Sequence, residues 1–170
     1  MAYQSPIIKL TKYFPFVEKV SLTAFVAGYV LKMLHYPGDE IVIISLSVLS
    51  GIYFLSAYTP PPVEDESEEK NQQQGFGALL GRTIVPKVLG IGSSVCVIGV
   101  LFTIEHYSGF REMLLIGSTS LAAASLLGLL TTMNNERARK ALSPMLLRAV
   151  PLMLIAFYFL KVYGITPPVN

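Results

Sequence analysis

Residues 17–58 read VEKVSLTAFVAGYVLKMLHYPGDEIVIISLSVLSGIYFLSAY, two apolar runs (Val17 to Leu34 and Ile41 to Tyr58) on either side of His35-Tyr36-Pro37-Gly38-Asp39. Each run approaches the roughly 20 residues that a helix needs to cross about 30 Å of hydrocarbon. The first is interrupted near its ends by Glu18, Lys19 and Lys32, and the second contains no charge. Proline cannot continue a helix, and glycine accepts positive φ after a last helical turn. Pro37 and Gly38 therefore predict a reversal within a few residues, and the two runs predict a transmembrane helical hairpin.

Working outward, three more runs have the same character: Ile84 to Ile104, Met113 to Thr132 and Met145 to Gly164. The last carries Arg148 in its first turn and Lys161 in its last. The composition agrees. The 170 residues are 52% hydrophobic and 14% charged, with a mean hydropathy of +0.56, whereas soluble domains carry about a quarter charged residues. A net charge of +2 is too small for a nucleic-acid footprint. The single cysteine, Cys96, excludes an intrachain disulfide framework and a Cys-rich metal cluster. Pro6, Lys9, Lys12 and Pro15 precede the first run and no small-residue cleavage site follows a short apolar core, so no cleavable leader is expected. The expected fold is all-α: a polytopic membrane helical bundle of two parallel-repeat transmembrane hairpins plus a fifth helix.

Basic residues set the orientation. With five spans, one side holds Lys9, Lys12, Lys19, Lys70, Arg82, Lys87, Arg137, Arg139, Lys140 and Arg148, and the other holds Lys32, Arg111 and Lys161. The N-terminus is then cytoplasmic and the C-terminus periplasmic. A four-span arrangement, with the last helix on the membrane surface, keeps the first four orientations. The expected organisation is a cytoplasmic tail (1–15), a first hairpin (16–58), a cytoplasmic linker (59–83), a second hairpin (84–132), a basic cytoplasmic loop (133–143), and a fifth helix with a short tail (144–170). In the linker, Pro60-Pro61-Pro62 is stiff and extended, and Glu64, Asp65, Glu66, Glu68 and Glu69 crowd the residues that follow. Such a segment buries nothing and is expected to be disordered.

The two outer turns resemble each other. His35-Tyr36-Pro37-Gly38 matches His106-Tyr107-Ser108-Gly109, and with one inserted residue, Phe110, the stretch Glu40 to Ser45 matches Glu112 to Gly117. The simplest reading is duplication of one two-helix unit, with its axis along the membrane normal. Small residues crowd the third and fourth runs, and Gly92/Cys96 and Ser118/Ala122 have the small-xxx-small spacing of close helix packing. That packing is either within the chain or between copies or partner chains.

The candidate polar cluster is Lys32, His35, Glu40, Glu105, His106 and Glu112, all near the outer turns. Lys32 and His35, three apart, would share a helix face, with Asp39 and Glu40 just beyond. The cluster reads either as a proton relay, since histidine titrates near neutral pH, or as an interfacial belt in which Lys32 reaches to water. A metal site from His35, His106, Glu40 and Glu112 lacks a ligand-spacing signature. No phosphate-binding loop, nucleophile elbow or HExxH occurs, so no catalytic residue, cofactor or metal is expected, and no enzyme. The expected partners are the lipid bilayer and either membrane proteins or further copies of the chain. No small-molecule substrate is indicated.

The segment from Val30 to Gly38, with a lysine, two residues, then histidine, an aromatic, proline and glycine, followed by an apolar helix closing on Ser56-Ala57-Tyr58, resembles the N-terminal hairpin of the GldL family. That family supplies the inner-membrane proton-channel subunit of the motor for gliding and type IX secretion in Bacteroidota. The likeness covers about 40 residues of the first unit and extends more weakly to Ser93–Leu130, where Thr103 and Ser108 replace the lysine and proline. It implies a shared hairpin and a Bacteroidota inner membrane, and by position it carries over only Lys32 and His35. The family's second-helix glutamate has no counterpart between Ile41 and Tyr58, and a duplication and a fifth span replace its long helical tail. Two functions follow. One is a structural or accessory subunit of a membrane complex. The other is an ion-translocating or motor-type subunit using Lys32, His35, Glu105 and Glu112.

Overall fold

A computed structural model describes residues 13–59, 83–134 and 136–164. Among them the chain forms five helices: α1 (Phe14–Met33), α2 (Asp39–Ser56), α3 (Val85–Ile104), α4 (Phe110–Asn134) and α5 (Glu136–Gly164). All five are long and apolar enough to cross a bilayer, including Leu142–Tyr163 within α5. The chain is an all-helical, multi-pass membrane protein. The tail, most of the acidic linker with Phe76, Leu79, Leu80 and Arg82, and the last six residues lie outside the described residues.

Contacts along the helices give the register. Gly28 of α1 lies against Ile41 and Val42 of α2, and Gly90 of α3 against Ala57 of α2. Gly92, Gly99 and Gly117 fit α3 to α4 through Leu121, Leu114 and Cys96, and Gly128 of α4 meets Leu146 of α5. Successive helices are therefore antiparallel. α3 is the hub, packed on α2, α4 and α5, while α1 packs chiefly on α2. Of the expected small-xxx-small pairs, Gly92/Cys96 is used inside the chain, between α3 and α4. The hydroxyls within the helices are satisfied mostly by their own turns: Ser45 donates to the Val42 carbonyl at 3.1 Å and Thr103 to the Gly99 carbonyl at 2.8 Å. Between helices, Ser50 of α2 and Ser94 of α3 bond each other, Oγ to Oγ at 2.8 Å.

Two expectations change here. The basic segment 133–143 is not a loop: helix resumes at Glu136 and continues unbroken through Pro144 and Pro151 to Gly164. The run Glu136-Arg137-Ala138-Arg139-Lys140-Ala141 consists of good helix formers, so polarity here marks a helix leaving the bilayer. The turn after α1 is also built differently. Gly38 has φ −121°, and the left-handed position belongs to His35, at φ 63°. Gly38 matters by lacking a side chain, because a Cβ there would run into the Gly28 carbonyl oxygen.

Candidate functional site

Polar side chains gather at both ends of the bundle. At the turn end, Lys32 Nζ, in the last turn of α1, lies 2.9 Å from Asp39 Oδ1 and 3.0 Å from Glu105 Oε1, and donates to the Ile104 carbonyl at 3.1 Å. Three donors of one ammonium are thus used. Asp39 lies in the first turn of α2, where the helix dipole favours a carboxylate, and Glu105 is the residue at which α3 ends. Lys32 therefore closes its own hairpin and also bridges to the second one.

The other predicted residues stand apart from this knot. Glu40 and Glu112 are exposed in the first turns of α2 and α4. His35 and His106 are exposed and lie beyond the ends of α1 and α3, so Lys32 and His35 do not share a helix face. The helix ends at Met33, two residues too early for that spacing to act. Among the described residues, no three of His, Cys, Asp and Glu are grouped to hold a metal.

The two histidines occupy equivalent positions. The His35 amide donates to the Lys32 carbonyl at 3.1 Å and the Tyr36 amide to the Leu31 carbonyl at 3.0 Å. The His106 amide donates to the Thr103 carbonyl at 3.3 Å and the Tyr107 amide to the Phe102 carbonyl at 2.8 Å. Both are Schellman caps with the left-handed residue at φ 63° and 56°, a place usually taken by glycine. In the second, the Tyr107 ring packs edge-on against Phe102 at 5.4 Å, the hydrophobic contact that accompanies such a cap.

At the opposite end a second cluster forms that the sequence reading missed. Glu18 of α1 is buried, accepting from Tyr53 OH of α2 at 3.0 Å on Oε1 and pairing with Arg148 Nη2 of α5 at 3.1 Å on Oε2. Three helices meet at one carboxylate with both oxygens engaged. In the sequence, Glu18 is an interruption near the end of a span and Arg148 one of the basic residues that set orientation. The available signal was chain length: glutamate is too short to reach water from inside an apolar run as lysine does, so Glu18 required a partner.

The hairpins also superpose in sequence beyond the turn. At the spacing that aligns His35 with His106, Pro15 aligns with Pro86, each in the first turn of its helix, and Gly28 with Gly99. Gly28 packs on Val42, and Gly99 on Leu114, the residue that matches Val42; both aliphatics are fully buried. The polar residues are not repeated. Leu89 stands where Glu18 does, Thr103 where Lys32 does, and Ser125 where Tyr53 does. Ser125 Oγ is buried and finds no hydrogen-bond partner among the described residues. Compared with family models, with curated proteins and with solved structures, the chain finds no match.

Proposed function

We propose that this chain is a non-enzymatic inner-membrane protein that serves as a structural or accessory subunit of a membrane complex, built on a duplicated GldL-like hairpin. The observation that carries this reading is how the intramembrane charges are used. Lys32 and Glu18 are each engaged by at least two partners on other helices or on a turn, so they act as staples that fix helix positions. Around them α1 and α5 keep broad apolar faces, including Val26, Val30, Leu154 and Tyr158, available to lipid or to a neighbouring membrane helix. Duplication is supported by the matching caps at His35 and His106 and by the paired contacts of Gly28 and Gly99. The positive-inside bias supports a cytoplasmic N-terminus and a periplasmic C-terminus, and the Lys32–His35 motif supports the Bacteroidota setting. Purification in a gentle detergent, followed by identification of copurifying chains, tests the reading. Recovery of a defined membrane assembly is expected, and a chain that purifies alone from native membranes overturns it.

A second reading, a proton-conducting motor-type subunit, is favoured by one arrangement. The Ser50–Ser94 pair lies between the Glu18–Tyr53 contact at one end and the Lys32–Glu105 contact at the other. Proton flux in liposomes separates the two: flux abolished by Lys32→Ala and by His35→Ala requires the motor-type reading, and its absence from the intact chain requires the structural one.

A further inference from the structure

We propose that Glu18, Tyr53 and Arg148 form a charge-dependent latch that holds the N-terminal half of α5 against the first hairpin and releases it when Glu18 becomes neutral.

A latch needs an element that can move, a tie that holds it, and a fixed point elsewhere. The movable element is α5, whose span is the least buried of the five. Its inward face is narrow: among its described side chains Leu142, Ala149 and Ala156, two turns apart, are the fully buried ones, and two of these three are alanines. Pro144 and Pro151 bracket Arg148, and each proline deprives the carbonyl one turn earlier of its helical donor, which loosens the helix there. The tie is Arg148 on Glu18. The main packing of α5 is on α4 and α3, and Arg148 on Glu18 carries it to α1. The fixed points lie on α4: Gly128 against Leu146 of α5, and at the far end Arg111, whose Nη2 is 3.5 Å from the Tyr163 carbonyl. Release is therefore a local displacement of α5 from α1 about its seat on α4.

The tie is built unequally, as a latch requires. The Glu18 side chain is 10% exposed and the Arg148 side chain 42% exposed. When Glu18 is charged, it must keep a cation beside it, because an unpaired buried carboxylate is costly. When it is neutral, the Tyr53 hydroxyl still satisfies it and nothing retains Arg148, which can turn to water or headgroups. Among the described residues, few charged groups lie at the Glu18 end of the bundle. Lys19, next along α1, is exposed, as is Lys87 in the first turn of α3; Tyr53 comes from α2 and Arg148 from α5. The second hairpin carries Leu89 and Ser125 at the equivalent places and cannot form such a tie.

The test is a pair of distance measurements on the full chain in lipid nanodiscs, with Cys96→Ala as background. Spin labels at Phe16→Cys and Leu147→Cys, both exposed, report the latched end of α1 and α5. Labels at Val30→Cys and Tyr158→Cys report the far end. With Glu18 intact the first distance is narrow. Glu18→Gln and Arg148→Gln each shift it to longer values, the second distance stays unchanged, and the exchange Glu18→Arg with Arg148→Glu restores the narrow distribution. An unchanged first distance in both single variants overturns the latch. So does a parallel change in the second distance, which marks general loosening, or an exchange that remains as open as the single variants. If Arg148→Gln fails to fold because it leaves a buried carboxylate unpaired, Glu18→Gln, whose amide oxygen can still accept from Tyr53, decides alone.

Discussion

The two hairpins share one backbone plan and differ in where they place charge. Both begin with a proline in the first turn, fit an aliphatic side chain against a glycine in the same register, and end their first helix on a left-handed histidine. The first then holds Glu18, Lys32 and Tyr53, where the second has Leu89, Thr103 and Ser125. In lipid there is no hydrophobic force between helices, so association depends on close backbone approach or on polar ties. The second hairpin uses the former, through Gly92, Gly99 and Gly117. The first also seats Gly28 on Ile41 and Val42, but adds polar ties: Lys32 pairs with Asp39 of its own hairpin, and further counter-charges come from the other half of the chain, at Glu105 and Arg148. One hairpin relies on shape, and the other adds charge to it.

The sharpest way to break that contrast is to exchange the residues that carry it. Leu89→Glu places a carboxylate at a site that is 2% exposed, and we expect it to lose about 3–5 kcal/mol, the scale of an uncompensated buried charge. Glu18→Leu frees Arg148, which is partly exposed and can hydrate, so a smaller loss of about 2 kcal/mol is expected. Thermal unfolding in one detergent compares the two. Equal losses would mean that the hairpins are interchangeable at this level.

Close approach ranks next. A Cβ on Gly90 would lie 2.7 Å from Ala57 Cβ and 2.9 Å from its Cα, and a backbone atom cannot move aside. Gly90→Ala should therefore cost about 1–3 kcal/mol by pushing α2 from α3. Gly51→Ala meets nothing within 4 Å and should gain up to about 1 kcal/mol from helix propensity. Opposite signs for two helical glycines, read from melting temperatures, sharpen the claim that backbone proximity holds the two hairpins together.

The five helices were legible because the bilayer imposes them: run length and short turns report on hydrocarbon thickness, which does not depend on the partner residues. Of the candidate cluster, Lys32 and Glu105 were legible, because each sits beside a turn whose position was clear. Glu18 with Arg148 was not, since the two lie far apart in sequence and the pairing depends on how α5 folds back. The helical start of α5 was missed for a related reason: the segment is polar enough to read as a loop, and helix propensity alone decides otherwise.

Lys32→Ala removes a partly exposed ammonium with three partners, and exposure weakens each tie, so about 1 kcal/mol is expected. Thr103→Ala, at the matching place, removes a hydroxyl that bonds only its own turn and should change stability by less than about half of that. The useful readout is again a distance, between labels on the two turns. It should lengthen in Lys32→Ala and stay fixed in Thr103→Ala, because only Lys32 crosses from one hairpin to the other.

A small gain in stability tests what the hairpins have in common. A left-handed backbone costs a non-glycine residue about 1 kcal/mol, though histidine tolerates it better than branched residues do. His35→Gly and His106→Gly should each relieve that strain, offset by the greater freedom glycine has in the unfolded chain, leaving a gain of up to about 1 kcal/mol. Both side chains are exposed, so little packing is lost at either site. The two gains should be equal within error and additive in the double variant, since each cap is closed by its own pair of amide bonds. Unequal or opposite responses would mean that the histidines share a motif without sharing its mechanics, and the likeness of the two turns would reduce to a coincidence of letters.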